Sequence, residues 1–158
     1  VMFFESKSLY PIKSEVPDGE LISEIGKAAV LREGTDTTIV ALASMVPKAQ
    51  QAAELLQNVH GINATVIDLR WLVPLDVTTV ANSVAKTGHL FTVEENPRLC
   101  GWGAEVVSII AEECFMDLDG PPTRITTPHI PLPAADALED ATLPSVQRIV
   151  DEVLKVLK

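Results

Sequence analysis

Glu94 and Glu95 follow the run Leu90–Val93 and precede a glycine pair in Gly101-Trp102-Gly103. In open α/β sheets, functional groups collect at the carboxyl ends of strands, so this stretch is the first place to look for chemistry. A pair of carboxylates can do acid–base work. A glycine-rich turn that opens a helix can seat a phosphate on the helical N–H groups. Neither signal is specific. Adjacent residues on an extended chain point to opposite faces, so the two carboxylates make no natural dyad. We expect Glu94, Glu95 and the nearby Trp102 at a contact with a neighbouring domain or subunit. A lone G-x-G also serves as a tight turn that lets a helix approach closely.

The other reactive types are scattered. His60, His89 and His129 share no metal-ligand spacing, and Cys100 and Cys114 fit neither a zinc motif nor a disulfide framework. With two cysteines and no framework, a reducing compartment is the default. Ser44, Ser83 and Ser108 lie in no G-x-S-x-G context. The chain's own chemistry thus assigns no catalytic, cofactor-binding or metal-ligating residue. Arg70 and Asp76 bracket Trp71–Leu75. Asp76 reads as a helix N-cap worth about 1 kcal/mol, and Arg70 as a surface or interdomain ion pair. Glu112, Glu113, Asp117 and Asp119 crowd the end of a predicted helix. Negative charge is unfavourable there, and a basic partner would relieve it.

These groups must be carried by a regular scaffold. Hydrophobic residues make up 47% of the 158, enough for one globular domain. The net charge of -10 argues against nucleic acid as a partner. No apolar run reaches the roughly 18–20 residues of a membrane span, and no signal-peptide pattern opens the chain.

Val1–Phe4 reads as a buried strand entered midway, and Glu5–Glu20 as a linker. From these we expect the chain to be a piece of a longer polypeptide, with residues 1–20 as the end of a preceding domain plus linker and 21–158 as the domain proper. Strands are predicted at Ala28–Arg32, Thr37–Ala43, Ala64–Leu69, Leu90–Val93 and Thr123–Thr126. Helices are predicted from a Ser44 cap to His60, with Ala49, Ala52, Ala53, Leu56 and Val59 inward, and from Asp76 to Lys86. Two more run over Ala104–Phe115, with Val107, Ile110, Ala111 and Cys114 inward, and from Leu143 onward. Glu94–Gly103 and the proline-rich Pro128–Pro133 are predicted loops. Alternating strands and helices imply βαβ units and a sheet covered on both faces.

Six segments, in order, resemble one family: FFESKSLY (Phe3–Tyr10), GKAAVLREGTDTTIVALASMV (Gly26–Val46), DLRWLVPLD (Asp68–Asp76), KTGHLFTVEENPRLCGWGAE (Lys86–Glu105), EECFMDLDGP (Glu112–Pro121) and LPSVQRIVDEVLKVL (Leu143–Leu157). They resemble the C-terminal domain of transketolase-like, thiamine-diphosphate-dependent enzymes. Within these the likeness is to the beta subunit of the decarboxylating component of 2-oxo acid dehydrogenases. The resemblance implies a three-layer α/β/α sandwich with a mostly parallel five-stranded sheet. It implies an assembly and docking domain in a heterotetramer of alpha and beta subunits within a multienzyme complex, in which the parent enzyme decarboxylates a 2-oxo acid and passes the acyl group to lipoyl-lysine.

By the same resemblance Asp119 matches a carboxylate that docks the basic subunit-binding domain of the acyltransferase core. Asp117, Glu113 and the terminal Lys158 are expected in the same region, while Arg70 joins Glu94, Glu95 and Trp102 at subunit or interdomain contacts. Thiamine diphosphate and magnesium belong to the parent enzyme. The residues that hold them are expected upstream of Val1 and in the partner subunit, leaving none in this fragment and the isolated domain inactive. EECFMDLDGP leans toward branched-chain substrates such as 2-oxoisovalerate, and PHIPLP toward acetoin-type relatives. The expected location is the bacterial cytoplasm or the mitochondrial matrix. Two other readings stay open, a deoxyxylulose-phosphate synthase type of C-terminal domain and a free-standing flavodoxin-like binding module.

Overall fold

In the computed structural model, which describes residues 4–158, five strands form one sheet. They are β1 (Ala29–Arg32), β2 (Thr37–Ala41), β3 (Ala64–Asp68), β4 (Leu90–Pro97) and β5 (Thr123–Thr127). The spatial order is β1-β3-β2-β4-β5. Strands β3, β2, β4 and β5 run parallel, and β1 is an antiparallel edge on β3. The helices are α1 (Met45–Leu55), α2 (Val77–Thr87), α3 (Trp102–Glu113), α4 (Asp136–Thr142) and α5 (Val146–Leu157). The expected mostly parallel, three-layer α/β/α sandwich is what the chain forms.

The layers follow from strand alternation. Ile39, Ala41, Val66, Phe91, Val93 and Ile125 face α1 and α5 in one core. Val40, Ile67 and Leu90 point the other way, to a second core closed by Val80 and Val84 of α2 and by Val106 and Ile110 of α3. Both faces are covered, which is why the central strands read as continuous apolar runs.

Helix ends follow local chemistry. The Asp76 carboxylate accepts from the Thr79 N–H at 3.1 Å and the Thr79 hydroxyl at 2.8 Å, and it also accepts from the Ala28 N–H at 3.1 Å. The expected N-cap therefore also ties the start of β1 to α2. Gly61 and Gly88 end their helical segments in the left-handed region, at φ 70 and 69, where glycine carries no Cβ penalty.

Several elements differ from expectation. The Ser44 side chain caps nothing; its hydroxyl donates to Glu95 instead. Val59 is exposed, because the last turn of the first helical segment widens to a π-turn over Leu56–His60 and swings it outward. Strand β4 runs on to Pro97, and α3 opens at Trp102 and stops at Glu113. Its buried face carries Gly103, Val106 and Ile110, with Val107 and Ala111 only half-buried. Helix α4 lies where no helix was expected, and α5 starts only after Ser145, whose side chain accepts from the Arg148 N–H at 3.2 Å. Of the strand expected at Val1–Phe4, Val1–Phe3 lie outside the described residues, and Phe4 is exposed.

Candidate functional site

The chain reverses its direction of travel across the sheet between β2 and β4. From β2 it crosses through α1 to β3 on one side, and from β3 it crosses through α2 to β4 on the other. Ligands of open α/β sheets enter at such a switch point, beyond the carboxyl ends of the strands. Here that position is bridged by the Ser44–Glu95 hydrogen bond.

Next to it lies the densest polar cluster among the described residues. Leu90, Thr92 and Glu94 share the α3 face of β4, and Thr92 stands in register with Arg124 on β5. Glu94 is 0% exposed. Its carboxylate accepts from Arg124 Nε at 2.8 Å and Nη2 at 2.9 Å, a two-pronged ion pair. Further donors, each at 3.0 Å, are the Thr92 hydroxyl, the Asn96 amide and the Gly103 N–H. Burial opposes the charge, but the Arg124, Asn96 and Gly103 donors outweigh it and hold the carboxyl below its usual range.

This arrangement answers what the glycine pair is for. The anion at the start of α3 is the protein's own Glu94. A Cβ at Gly103 would overlap the Glu94 carboxylate, and one at Gly101 would overlap Asn96 and Glu94. The glycines allow this internal contact, so the turn has no room for a phosphate. Glu94 was expected at a subunit or domain contact. It is instead an internal strut, because five donors and full burial leave it no face to present.

The other expected contact residues separate. Glu95 is exposed and points away from Glu94, as alternation requires. Trp102 is half-buried against the α2–α3 core. Arg70 is exposed at φ 57, with its N–H on Asp68 at 3.1 Å and its Nε 3.6 Å from the same carboxylate. Burial nonetheless raises the Asp68 carboxyl, with Arg70 only partly offsetting it.

The acidic group is a surface feature. Glu112, Glu113, Asp117 and Asp119 are exposed around the end of α3, and none forms an ion pair among the described residues. Asp119 is held in place. Its N–H donates to the Gly88 carbonyl at 2.8 Å, and its carboxylate lies over the Gly88 Cα, where a Cβ would overlap it. Gly120 follows against the His89 ring and near Val156 of α5, the helix that ends by Lys158. The sequence marks Gly88 as a helix stop but not as the seat of Asp119, and it gave no signal for Arg124. A glycine after a helix reads only as a cap, and Arg124 lies 30 residues from the carboxylate it pairs.

An open groove of about 550 Å³ adjoins Asp119, lined by Ala111, Phe115, Met116, Leu118, Gly120, Pro121 and Pro122. Among the described residues no group of three or more His, Cys, Asp or Glu side chains could hold a metal ion. No helix there is long and apolar enough to cross a membrane.

Comparison with known proteins is consistent along the chain. Residues 26–149 match the model of the transketolase C-terminal domain. The acetoin:2,6-dichlorophenolindophenol oxidoreductase beta subunit of Bacillus subtilis (strain 168) is 40% identical over 158 residues, covering 99% of this chain and 46% of its own length. The mitochondrial pyruvate dehydrogenase E1 component beta subunit of Dictyostelium discoideum is 41% identical over 160 residues, with 99% and 45% covered. A solved structure described as a split gene transketolase, inactive beta4 tetramer, superposes with a TM-score of 0.77 at 32% identity, over 91% of this chain and 46% of that one. The chain spans about half the length of the curated relatives it matches.

Proposed function

The chain belongs to the transketolase C-terminal domain family, and from this premise we propose that it is the assembly and docking domain of the beta subunit of a 2-oxo acid dehydrogenase. Residues 21–158 form the domain in this reading, and the residues before them are a linker. The parent enzyme decarboxylates a 2-oxo acid and hands the acyl group to lipoyl-lysine on an acyltransferase core. Relatives named for pyruvate and acetoin support a parent of that type. Its location is the bacterial cytoplasm or the mitochondrial matrix.

One contrast carries the proposal. Where chemistry would sit, at the strand ends, Glu94 is taken up by internal bonds. Where a partner would sit, at the end of α3, four carboxylates stand exposed without counter-ions among the described residues. The described residues do not fit thiamine diphosphate, because the glycine turn already encloses a carboxylate of its own. We assign the cofactor and its magnesium to other parts of the parent enzyme, and no catalytic step to this chain. The carboxylate at the switch point is likewise a poor neighbour for a flavin phosphate, which weighs against a flavodoxin-like module.

Asp119, with Asp117 and Glu113 beside it and Lys158 at the end of α5, forms the docking region for the basic subunit-binding domain. Arg70, Glu95 and Trp102 lie on the remaining subunit or interdomain contacts. The test is Asp119→Arg, with binding of an isolated acyltransferase subunit-binding domain measured by calorimetry at low salt. Reversing the charge removes an attraction and adds a repulsion, so affinity should fall at least tenfold. Unchanged affinity would remove Asp119 from the docking surface.

A further inference from the structure

We propose that the groove beside Asp119 receives an apolar anchor from the docking partner, making this a two-part receptor for a basic segment with one aliphatic side chain next to a lysine or arginine. The inference rests on the docking reading above and states how the same surface selects its partner.

Phe115 is 71% exposed and Met116 91% exposed. They lie on the 3-10 turn Phe115–Asp117 that follows α3. With Ala111, Leu118, Pro121 and Pro122 they line one open groove. Two large apolar side chains standing in water on a segment that also carries Glu112, Glu113, Asp117 and Asp119 are unusual for a surface whose only task is solubility. The groove's lining offers a single charged group, Asp119, at one edge. Small-molecule sites converge several polar groups on their ligand, so the chemistry fits a protein side chain better.

Charge complementarity identifies the rest of the occupant. Glu112, Glu113, Asp117 and Asp119 are exposed along the same stretch of chain as the apolar lining, and none has a cation paired to it among the described residues. The peptide dipoles of α3 add partial negative charge at the same end. A partner must therefore be cationic around its anchor. Asp119 is the fixed point of the arrangement, since its N–H is bonded to the Gly88 carbonyl and its carboxylate packs over the Gly88 Cα. Long-range charge then steers the partner and sets the encounter rate, while the buried apolar contact slows release. The two contributions differ in salt dependence, because exposed charges are screened and apolar burial is not.

Met116→Glu separates these contributions by sign. Met116 is almost wholly exposed, so the substitution leaves the core untouched. It adds negative charge to the surface and removes apolar area from the groove. Using the isolated acyltransferase subunit-binding domain as probe, affinity should fall about tenfold in 0.15 M salt, with a faster off-rate. Wild-type binding should also retain a measurable residue in 1 M salt that Met116→Glu abolishes. Tighter or unchanged binding by Met116→Glu would overturn the anchor. Paired with a loss in Asp119→Arg, that result would leave the docking reading intact as a purely electrostatic contact. If Asp119→Arg alone is silent, the docking reading fails instead.

Discussion

Arg124→Met should cost this domain about 3–5 kcal/mol, the range for removing one partner from a buried ion pair. The size follows from what is left behind. Glu94 is fully buried and the Arg124 side chain is 9% exposed. The substitution removes the two charge-assisted bonds at 2.8 and 2.9 Å and leaves three neutral donors at 3.0 Å. Those cannot neutralise a carboxylate out of water.

The pH dependence should change sign. In the natural chain Glu94 has a lowered pKa, so its contribution is present above the unfolded value near ~4.3 and is lost as pH falls through the folded one. Without the guanidinium, burial dominates and the folded pKa rises above the unfolded value. The penalty is then full at neutral pH and is relieved as pH falls through that raised value. Urea unfolding followed by circular dichroism at pH 7 and pH 5 measures both effects, and the gap between the proteins should narrow at pH 5. Glu94→Gln combined with Arg124→Met removes the stranded charge and should recover at least half of the loss. A cost below about 1 kcal/mol, or a gap independent of pH, would show that the pair is not the strut described here.

Two further outcomes bear on positions where the local geometry is specific. Gly88→Ala and Gly61→Ala place the same residue at nearly the same left-handed φ, but only Gly88 has Asp119 over it; both should lose about 1 kcal/mol from backbone strain, and only Gly88→Ala should also weaken partner binding. Equal binding by the two variants would show that the Asp119 carboxylate is not seated on Gly88. Asp76→Ala should cost about 1–2 kcal/mol at pH 7. Because burial of Asp76 is outweighed by its Thr79 and Ala28 donors and its pKa is lowered, this gap should close as pH falls through the folded value, which urea titrations at pH 7 and pH 3 would check.

The layers of this fold were legible because they depend on short-range patterns. Thr37–Ala41 is β-branched or apolar at every position and is buried on both faces. Asp76 caps, Gly61 and Gly88 stop their helices, and the prolines of Pro128–Pro133 keep that segment irregular. The errors arose where a residue's partner is remote. Ser44 has the right type for a cap, yet its hydroxyl finds Glu95 across the switch point. Strand β4 was expected to stop at Val93, with Glu94–Gly103 a loop; Arg124 on β5 pairs the Glu94 carboxylate, and the strand continues to Pro97. Helix α4 has no long apolar period and could not be read from one.

The family and the sheet order's ingredients therefore reside in the linear sequence, in six ordered segments and in alternating apolar runs. The acidic end of α3 was also visible there, because charge clustered along the chain needs no fold to be seen. Which carboxylates are available to a partner was decided only in three dimensions. Glu94 and Asp119 look alike as letters. Parallel pairing of β4 with β5 delivers Arg124 to the first and buries it, while the α2–β4 turn holds the second at the surface over Gly88. Burial with a matched cation makes one a strut, while the other stays exposed with no cation paired to it among the described residues.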